Sequence, residues 1–380
     1  MLRGFTRRLH ATRRVNSAVY ISGTKLAKEI RLDVAKKVEA YNQKHFPGSN
    51  ELKFKPSLAI VQVGSRPDSL AYVRSKLKAA LLLNISLQLL QLKEDVLQKE
   101  LMALIDNLNA DPAVNGVLVQ LPLPRHIDET AITNAVATEK DVDGFGRYNV
   151  GELAKKGGLP MFLPCTPAGV IELIKTTGVS LRGKNAVVIG RSDIVGTPVA
   201  ALLRNADCTV TVCHRYTYDL PAVVRRADIV VAAVGIAEYV QPEWVKPGAI
   251  VIDVGINYKA DETAANGRRL VGDVATSAVA ENAGFLTPVP GGVGPMTVAM
   301  LCLNVYEAAV HQAQTAHQHH FTALPLEPVS PVPLDIDISR SQEPKRIATV
   351  ARELGLVESE VEPYGHFKAK VDAGQVISRL

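Results

Sequence analysis

The sequence predicts an α/β protein of two domains, the second a doubly wound, Rossmann-like unit, with a cleft between them. Three observations carry this. Between 56 and 135, apolar runs (PSLAIVQVG, SLQLLQL, VNGVLVQLPLP) alternate with helical patterns, which is the signature of a parallel sheet. A second series starts at 184 with KNAVVIG, TVTVCHR, ADIVVAAVG, GAIVIDVGIN and LVGDV. Its first strand runs into a turn framed by Gly190 and Gly196 and then a helix, the order of a nucleotide-binding unit.

The elements follow in order. Residues 1–17 hold Arg3, Arg7, Arg8, Arg13 and Arg14, and no acid precedes Glu29. Arginine with Ser and Thr but no acid predicts a mitochondrial presequence and a matrix location, the cytoplasm being the alternative. The first domain is expected over 18–163. It opens with a helix to about 45 whose apolar face is Leu26, Ile30, Val34 and Val38. After PSLAIVQVG, the SRPDS turn leads into a helix bearing Tyr72 and Lys76. SLQLLQL is a strand, KEDVLQKELMALIDNLNAD a helix, VNGVLVQLPLP a strand ending in proline, and IDETAITNAVA a helix. The Gly-rich, polar stretch 140–160 reads as a loop or domain junction.

The second domain, 164–296, begins with a helix carrying Pro167 in its first turn. Its glycine turn is followed by a helix from about 197. A long helix from about 296 to 320 is expected to complete the first domain. Residues 321–333 are a Pro-rich linker. The tail, 334–380, shows one helical pattern, EPKRIATVARELGL, and is too short for a substantial core of its own.

The composition excludes several classes. The net charge of +5 in 380 residues is mild and partly N-terminal, so it does not point to nucleic acid. Cys165, Cys208, Cys213 and Cys302 are scattered, without the spacing of a zinc site or a disulfide framework. The apolar window 80–92 is too short and interrupted to cross a bilayer. HQHH at 317–320 lacks a carboxylate or cysteine to complete a metal site, and no metal is expected.

Two groups of residues carry chemistry. Tyr72 and Lys76 stand one helical turn apart on one face. A lysine among small and apolar residues is a candidate proton-transfer group, because burial lowers its pKa toward neutrality. The bland alternative is an exposed lysine beside a half-buried tyrosine. In the second domain, strand TVTV ends in Cys213-His214-Arg215, with no acid to bind ribose hydroxyls, and Arg191 sits in the first turn. Two arginines near an adenosine ribose suit a 2′-phosphate, so NADP is favoured over NAD. The alternative is a pair of surface charges.

DSLAYVRSKLKAA, GVLVQLPLP, KDVDGFGRYNVGEL, FLPCTPAGVIELI, VVIGRSDIVGTPVAALL, CHRYT, GAIVIDVGIN, VGDV and TPVPGGVGPMTVAML stand in this order over about 18–310. Together they resemble the methylenetetrahydrofolate dehydrogenase/methenyltetrahydrofolate cyclohydrolase family. The resemblance implies that Lys76 is catalytic, that Tyr72 stacks against or orients the folate, and that Gln120 hydrogen-bonds near Lys76. It implies folate contacts at Ser69, Asp143 and the Pro290, Gly291, Gly292 loop, and NADP contacts at Gly190, Arg191, Ser192, Gly196, Arg215 and Ile256. Asn84 and Leu81 to Leu83 depart from the family pattern. Asn tolerates a left-handed turn, and the leucines suggest a repacked helix face.

DIDISRSQEPKRIATVARELGLVESEVEPYGHFKAKV resembles the opening of formate–tetrahydrofolate ligase as joined in trifunctional synthases. No GxxxxGK[ST] is present, so no ligase activity is expected. The resemblance implies NADP-dependent oxidation of methylenetetrahydrofolate, hydrolysis of the methenyl product to 10-formyltetrahydrofolate, and a homodimer with neither nucleic-acid nor membrane partners. Two other readings stay open: a different two-domain NAD(P) dehydrogenase, and a non-catalytic partner subunit of a one-carbon folate enzyme.

Overall fold

The computed structural model describes residues 17–46, 53–65, 67–261, 263, 267–318, 337, 344–354 and 356–379. The chain divides into two compact units, Met1–Ala309 and Val310–Leu380.

The first unit holds two parallel sheets. The smaller has the order β3-β2-β4, with β2 at Ser57–Val63, β3 at Ser86–Leu92 and β4 at Gly116–Val119. Both faces of β2 are covered, which is why SLAIVQV reads as a continuous apolar run. Leu58 and Ile60 pack with Val73, Ala79 and Ala80 of helix α2 (Pro67–Leu82). Ala59, Val61 and Val63 face the other way, onto Leu101 and Ile105 of α3 (Gln98–Ala110) and Ile132 of α4 (Glu129–Ala135). Leu101 is fully buried, so truncating it to alanine would cost about 2–5 kcal/mol. β3 is an edge strand, and much of it is exposed.

The larger sheet has the order β1-β11-β8-β7-β5-β6, all parallel. Its strands are β1 (Val19–Tyr20), β5 (Asn185–Ile189), β6 (Thr209–Cys213), β7 (Ile229–Ala232), β8 (Ile250–Asp253) and β11 (Phe285–Leu286). From β5 the chain goes outward to β6 and then crosses back to β7, so the topological switch point lies between β5 and β7. Helices α6 (Cys165–Lys175) and α7 (Gly196–Asn205) cover one face through Val170, Ile174, Val199 and Leu203. Leu220 and Val224 of α8 (Leu220–Val224) and Val279 of α9 (Thr276–Val279) cover the other.

Three features differ from the sequence expectation. β1, N-terminal to helix α1 (Gly23–His45), joins the larger sheet rather than the first domain, where the Ile21 N–H donates to Leu286 O at 2.9 Å. Two residues are too few to show a period. LVGDV does not extend the parallel sheet. Its strand β10 (Arg268–Val271) pairs antiparallel with β9 (Asn257–Ala260), and its arginines stay exposed. The stretch 140–160 contains helix α5 (Arg147–Leu153), fixed by Asp141, whose Oδ2 accepts from the Gly146 N–H at 2.8 Å and from Asn149 Nδ2 at 2.9 Å. Among the described residues, one segment has a membrane helix's length and hydropathy, Val293–Thr315 within α10 (Val293–Gln318), and most of it is buried inside the protein. α10 is shared by both cores. Met296 and Ala299 pack with the larger sheet, while Leu301, Val305 and Ala308 pack with the smaller.

The second unit carries a short helix α11 (Ile347–Glu353), a hairpin of β12 (Val361–Pro363) and β13 (Ala369–Val371), and helix α12 (Ala373–Arg379). Lys345 holds Glu353 at 2.7 Å. The presequence and linker expectations fall outside the described residues.

Candidate active site

In a parallel α/β sheet, functional side chains collect where the strands end. The smaller sheet places Gln120 directly after β4 and brings Lys76 over it from α2. Lys76 Nζ donates to Gln120 Oε1 at 3.1 Å, and only 8% of Lys76 is exposed. This excludes the surface-lysine alternative. The Gln120 amide is oriented by its own Nε2, which donates to Leu121 O at 2.8 Å, just before the cis Leu121–Pro122 bond.

Asp143 comes from a neighbouring segment that pairs with β4 through a Val117–Asp141 bridge. Gly144, at φ +69, turns the chain tightly there, and a Cβ on it would lie 2.8 Å from Phe162 O and Pro164 N. The turn sets Asp143 against Cys165, whose thiol lies 3.9 Å from Oδ1. Burial pushes the Asp143 carboxyl up, and the Lys76 charge and the Cys165 thiol pull it back down. Burial and Asp143 together hold the Cys165 thiol well above its usual range. Asn304, from α10, donates to Val142 O at 2.8 Å and Leu163 O at 3.0 Å, tying these segments together. Nothing in the sequence pattern points to Asn304, because its partners are backbone carbonyls about 140–160 residues away. Ser69 and Tyr72 lie on α2, and their side chains are outside the described residues.

The larger sheet gathers the other candidates along the edge formed by its strand ends. Gly190 follows β5, Arg215 follows β6, Ile256 follows β8, and Pro290 to Gly292 follow β11. Gly190 has φ +118, and a Cβ there would lie 2.1 Å from Ala233 O at the end of β7. The glycine therefore sits at the switch point itself. A Cβ on Gly196 would lie 2.3 Å from Gly190 O, which closes the turn. Ser192 Oγ accepts from the Gly196 N–H at 3.3 Å, and α7 starts without any other side-chain cap. Arg191 and Ser192 are exposed. Arg215 is exposed too, its guanidinium lying 4.8 Å from the centre of the Tyr216 ring. The Pro290–Gly292 loop, with a cis Val289–Pro290 bond, is fastened to the start of α1 by a Thr24 N–H to Gly291 O bond of 3.0 Å.

Two buried carboxylates, which the sequence did not single out as a pair, knit these loops. Asp253 accepts from the N–H groups of Gly255, Asp273 and Val274 at 2.8–2.9 Å. Asp273 Oδ2 accepts from Val234 and Gly235. Burial pushes the Asp253 carboxyl up to about 6. Among the described residues no group of three His, Cys, Asp or Glu side chains is placed to hold a metal.

A close-approach glycine at the switch point, two exposed arginines and no acid after β6 fit a phosphorylated dinucleotide. The fold and site therefore define a two-domain, nucleotide-dependent α/β dehydrogenase. The tetrahydrofolate dehydrogenase/cyclohydrolase family matches twice, its catalytic domain over residues 21–143 and its NAD(P)-binding domain over residues 164–313. The chain belongs to this family. It is 52% identical over 367 residues to the mitochondrial C-1-tetrahydrofolate synthase of Saccharomyces cerevisiae, covering 96% of this chain and 37% of that protein. The cytoplasmic synthase of the same yeast is 48% identical, over 95% of this chain and 38% of that protein. The chain thus spans under two fifths of the length of these curated relatives. The Trypanosoma brucei methylenetetrahydrofolate dehydrogenase-cyclohydrolase, complexed with NADP cofactor and inhibitor, superposes with a TM-score of 0.74 at 40% identity, over 78% of this chain and 99% of that one. The bifunctional Campylobacter jejuni enzyme gives 0.71 at 41% identity, with the same coverage.

Proposed function

We propose that this chain oxidises methylenetetrahydrofolate with NADP and hydrolyses the methenyl product to 10-formyltetrahydrofolate. The observation that carries the reading is the buried Lys76–Gln120 bond beside Asp143. Bound NADP supplies the hydride acceptor. Gly190 would let the backbone approach its pyrophosphate, and Arg191 and Arg215 would take its 2′-phosphate; Ser192, Gly196 and Ile256 complete the proposed contacts. Asp143 would hold the pterin through its ring N–H donors, Tyr72 would stack on it, and Ser69 and the Pro290–Gly292 loop would close around it.

In the hydrolytic step, water adds to the methenyl carbon, a C–O bond forms, and the bond from that carbon to N5 breaks. Lys76 would take the proton from the attacking water and return one to N5, with Gln120 holding its amine in place. A spectrophotometric assay of the purified protein with methylenetetrahydrofolate, comparing NADP with NAD, tests the reading. Absence of cofactor reduction with both would overturn it.

Assembly and location rest on narrower support. We infer a homodimer formed across the β3 edge, because Leu81 and Leu82 beside it are 78% and 69% exposed. This is not the repacked face expected of the leucine run, since only Leu83 is buried. Light scattering of Leu82→Asp tests this, and an unchanged mass would refute it. The yeast relatives include both mitochondrial and cytoplasmic proteins. The arginine-rich start favours the mitochondrion, and imaging a fusion of residues 1–30 to a fluorescent protein would decide it.

A further inference from the structure

Gln62 is the one polar residue within β2 beyond its first position, and only 1% of it is exposed. Its Nε2 donates to Gly64 O at 3.3 Å, which fixes the orientation of the amide. Its Oε1 is left buried with no hydrogen-bond partner. A buried acceptor without a donor costs stability, and such groups recur where a function needs them.

The register shows where this oxygen stands. Ile60 pairs with Leu118 and Val61 with Val119, and the Gln120 N–H donates to Val61 O at 2.8 Å. Gln62 therefore lies beside Gln120 at the strand ends, on neighbouring strands about 4.8 Å apart. Strand alternation puts Gln62 on the face of Leu58 and Ile60, the face covered by α2. Lys76 reaches down from that helix to Gln120.

An ammonium has three N–H donors, whereas a neutral amine has two. Gln120 Oε1 takes one, and the Asp143 carboxylate lies within electrostatic reach. We propose that Gln62 Oε1 is the further acceptor that receives Lys76 once its amine has taken a proton, making Gln62 a positioning residue for proton transfer. This rests on the reading of Lys76 as the proton-transfer group. Among the described residues, the titratable groups that the electrostatics link to Lys76 are Asp143 and Cys165, and Asp141 and Cys302 act in turn on Cys165. Tyr72 precedes Lys76 by one turn of the same helix.

Gln62→Met removes the acceptor at similar volume. Gly64, whose carbonyl it frees, lines a cavity of about 670 Å³ that has room for water to replace the lost donor. We expect Gln62→Met to keep or raise the melting temperature while cyclohydrolase turnover falls at least tenfold and its pH midpoint moves down. In a Lys76→Met background the same change should add nothing. Gln62→Glu, which keeps an acceptor, should retain turnover with the midpoint moved up. Wild-type turnover in Gln62→Met, or a loss that adds to that of Lys76→Met, would overturn the assignment. Were Gln62→Met to misfold, an unmoved midpoint in Gln62→Glu would do the same. Wild-type protein without cyclohydrolase activity would instead count against the underlying function, so the two failures are distinguishable.

Discussion

Lys76 Nζ donates to Gln120 Oε1 across 44 residues of sequence, joining the middle of α2 to the end of β4. The bond places a buried amine at the one edge of the smaller sheet where strand ends and a carboxylate meet. Removing that amine should abolish the hydrolytic step, which needs proton transfer at the one-carbon bridge. General acid–base groups contribute about a hundred- to ten-thousandfold, so Lys76→Met should lower cyclohydrolase activity by that order. Hydride transfer needs no such group, so part of the dehydrogenase rate should survive and methenyltetrahydrofolate should accumulate. Both rates measured on the same variant decide it, and near-normal hydrolysis would remove Lys76 from the mechanism.

Arg215 stands exposed after β6, held over Tyr216, and Arg191 stands exposed after β5. A charge-assisted contact to phosphate contributes about 1.5–3 kcal/mol. Arg215→Ser should therefore weaken NADP binding about tenfold or more and leave NAD little changed. Titration calorimetry with each cofactor reads this directly. Equal losses for both would show that Arg215 does not face the 2′-phosphate.

Much of this fold was legible because its strands are short apolar runs punctuated by glycine. LAIVQV, AVVI and IVID could only be buried strands, and the helices between them carried clear periods. Elements fixed by distant partners were not legible. β1 is two residues long and exists because Leu286 offers a carbonyl. α5 depends on Asp141 accepting from Gly146 and Asn149. In the site, Lys76 and Gln120 were found through their motifs, whereas Gln62 was passed over as part of an apolar strand. A glutamine interrupting a buried run at the C-terminal end of a parallel strand was the available signal. Asn304 left no such trace.

Burial raises the Asp253 carboxyl from 3.8 to about 6 in the folded protein. The folded state then holds more protons than the unfolded chain between those values. This contribution is complete below about pH 4 and is lost as pH rises through about 6, an effect on the order of 3 kcal/mol. Asp253→Asn cannot titrate. The melting temperature of wild type minus that of the variant should therefore fall from pH 4.5 to pH 7. A value of wild type minus variant that stays constant or rises across that range would contradict the shift.

Gly190 offers the most local test of the nucleotide-binding turn. Its φ of +118 lies where L side chains are strained, and an added Cβ would sit 2.1 Å from the Ala233 carbonyl oxygen. That obstacle is backbone at the end of a fully buried strand, so it cannot swing aside as a flexible side chain would. Backbone strain of this kind alone costs about 1–3 kcal/mol, and moving β7 adds to it. Gly190→Ala should lower the melting temperature by several degrees and weaken NADP binding more than methylenetetrahydrofolate binding. Gly178→Ala is the control, because Gly178 also has positive φ (+69) but meets nothing within 4 Å of its Cβ position. It should show the strain without the loss of cofactor affinity. Equal effects of the two substitutions on NADP would mean that the approach of β5 to β7 at Gly190 does not shape the cofactor site.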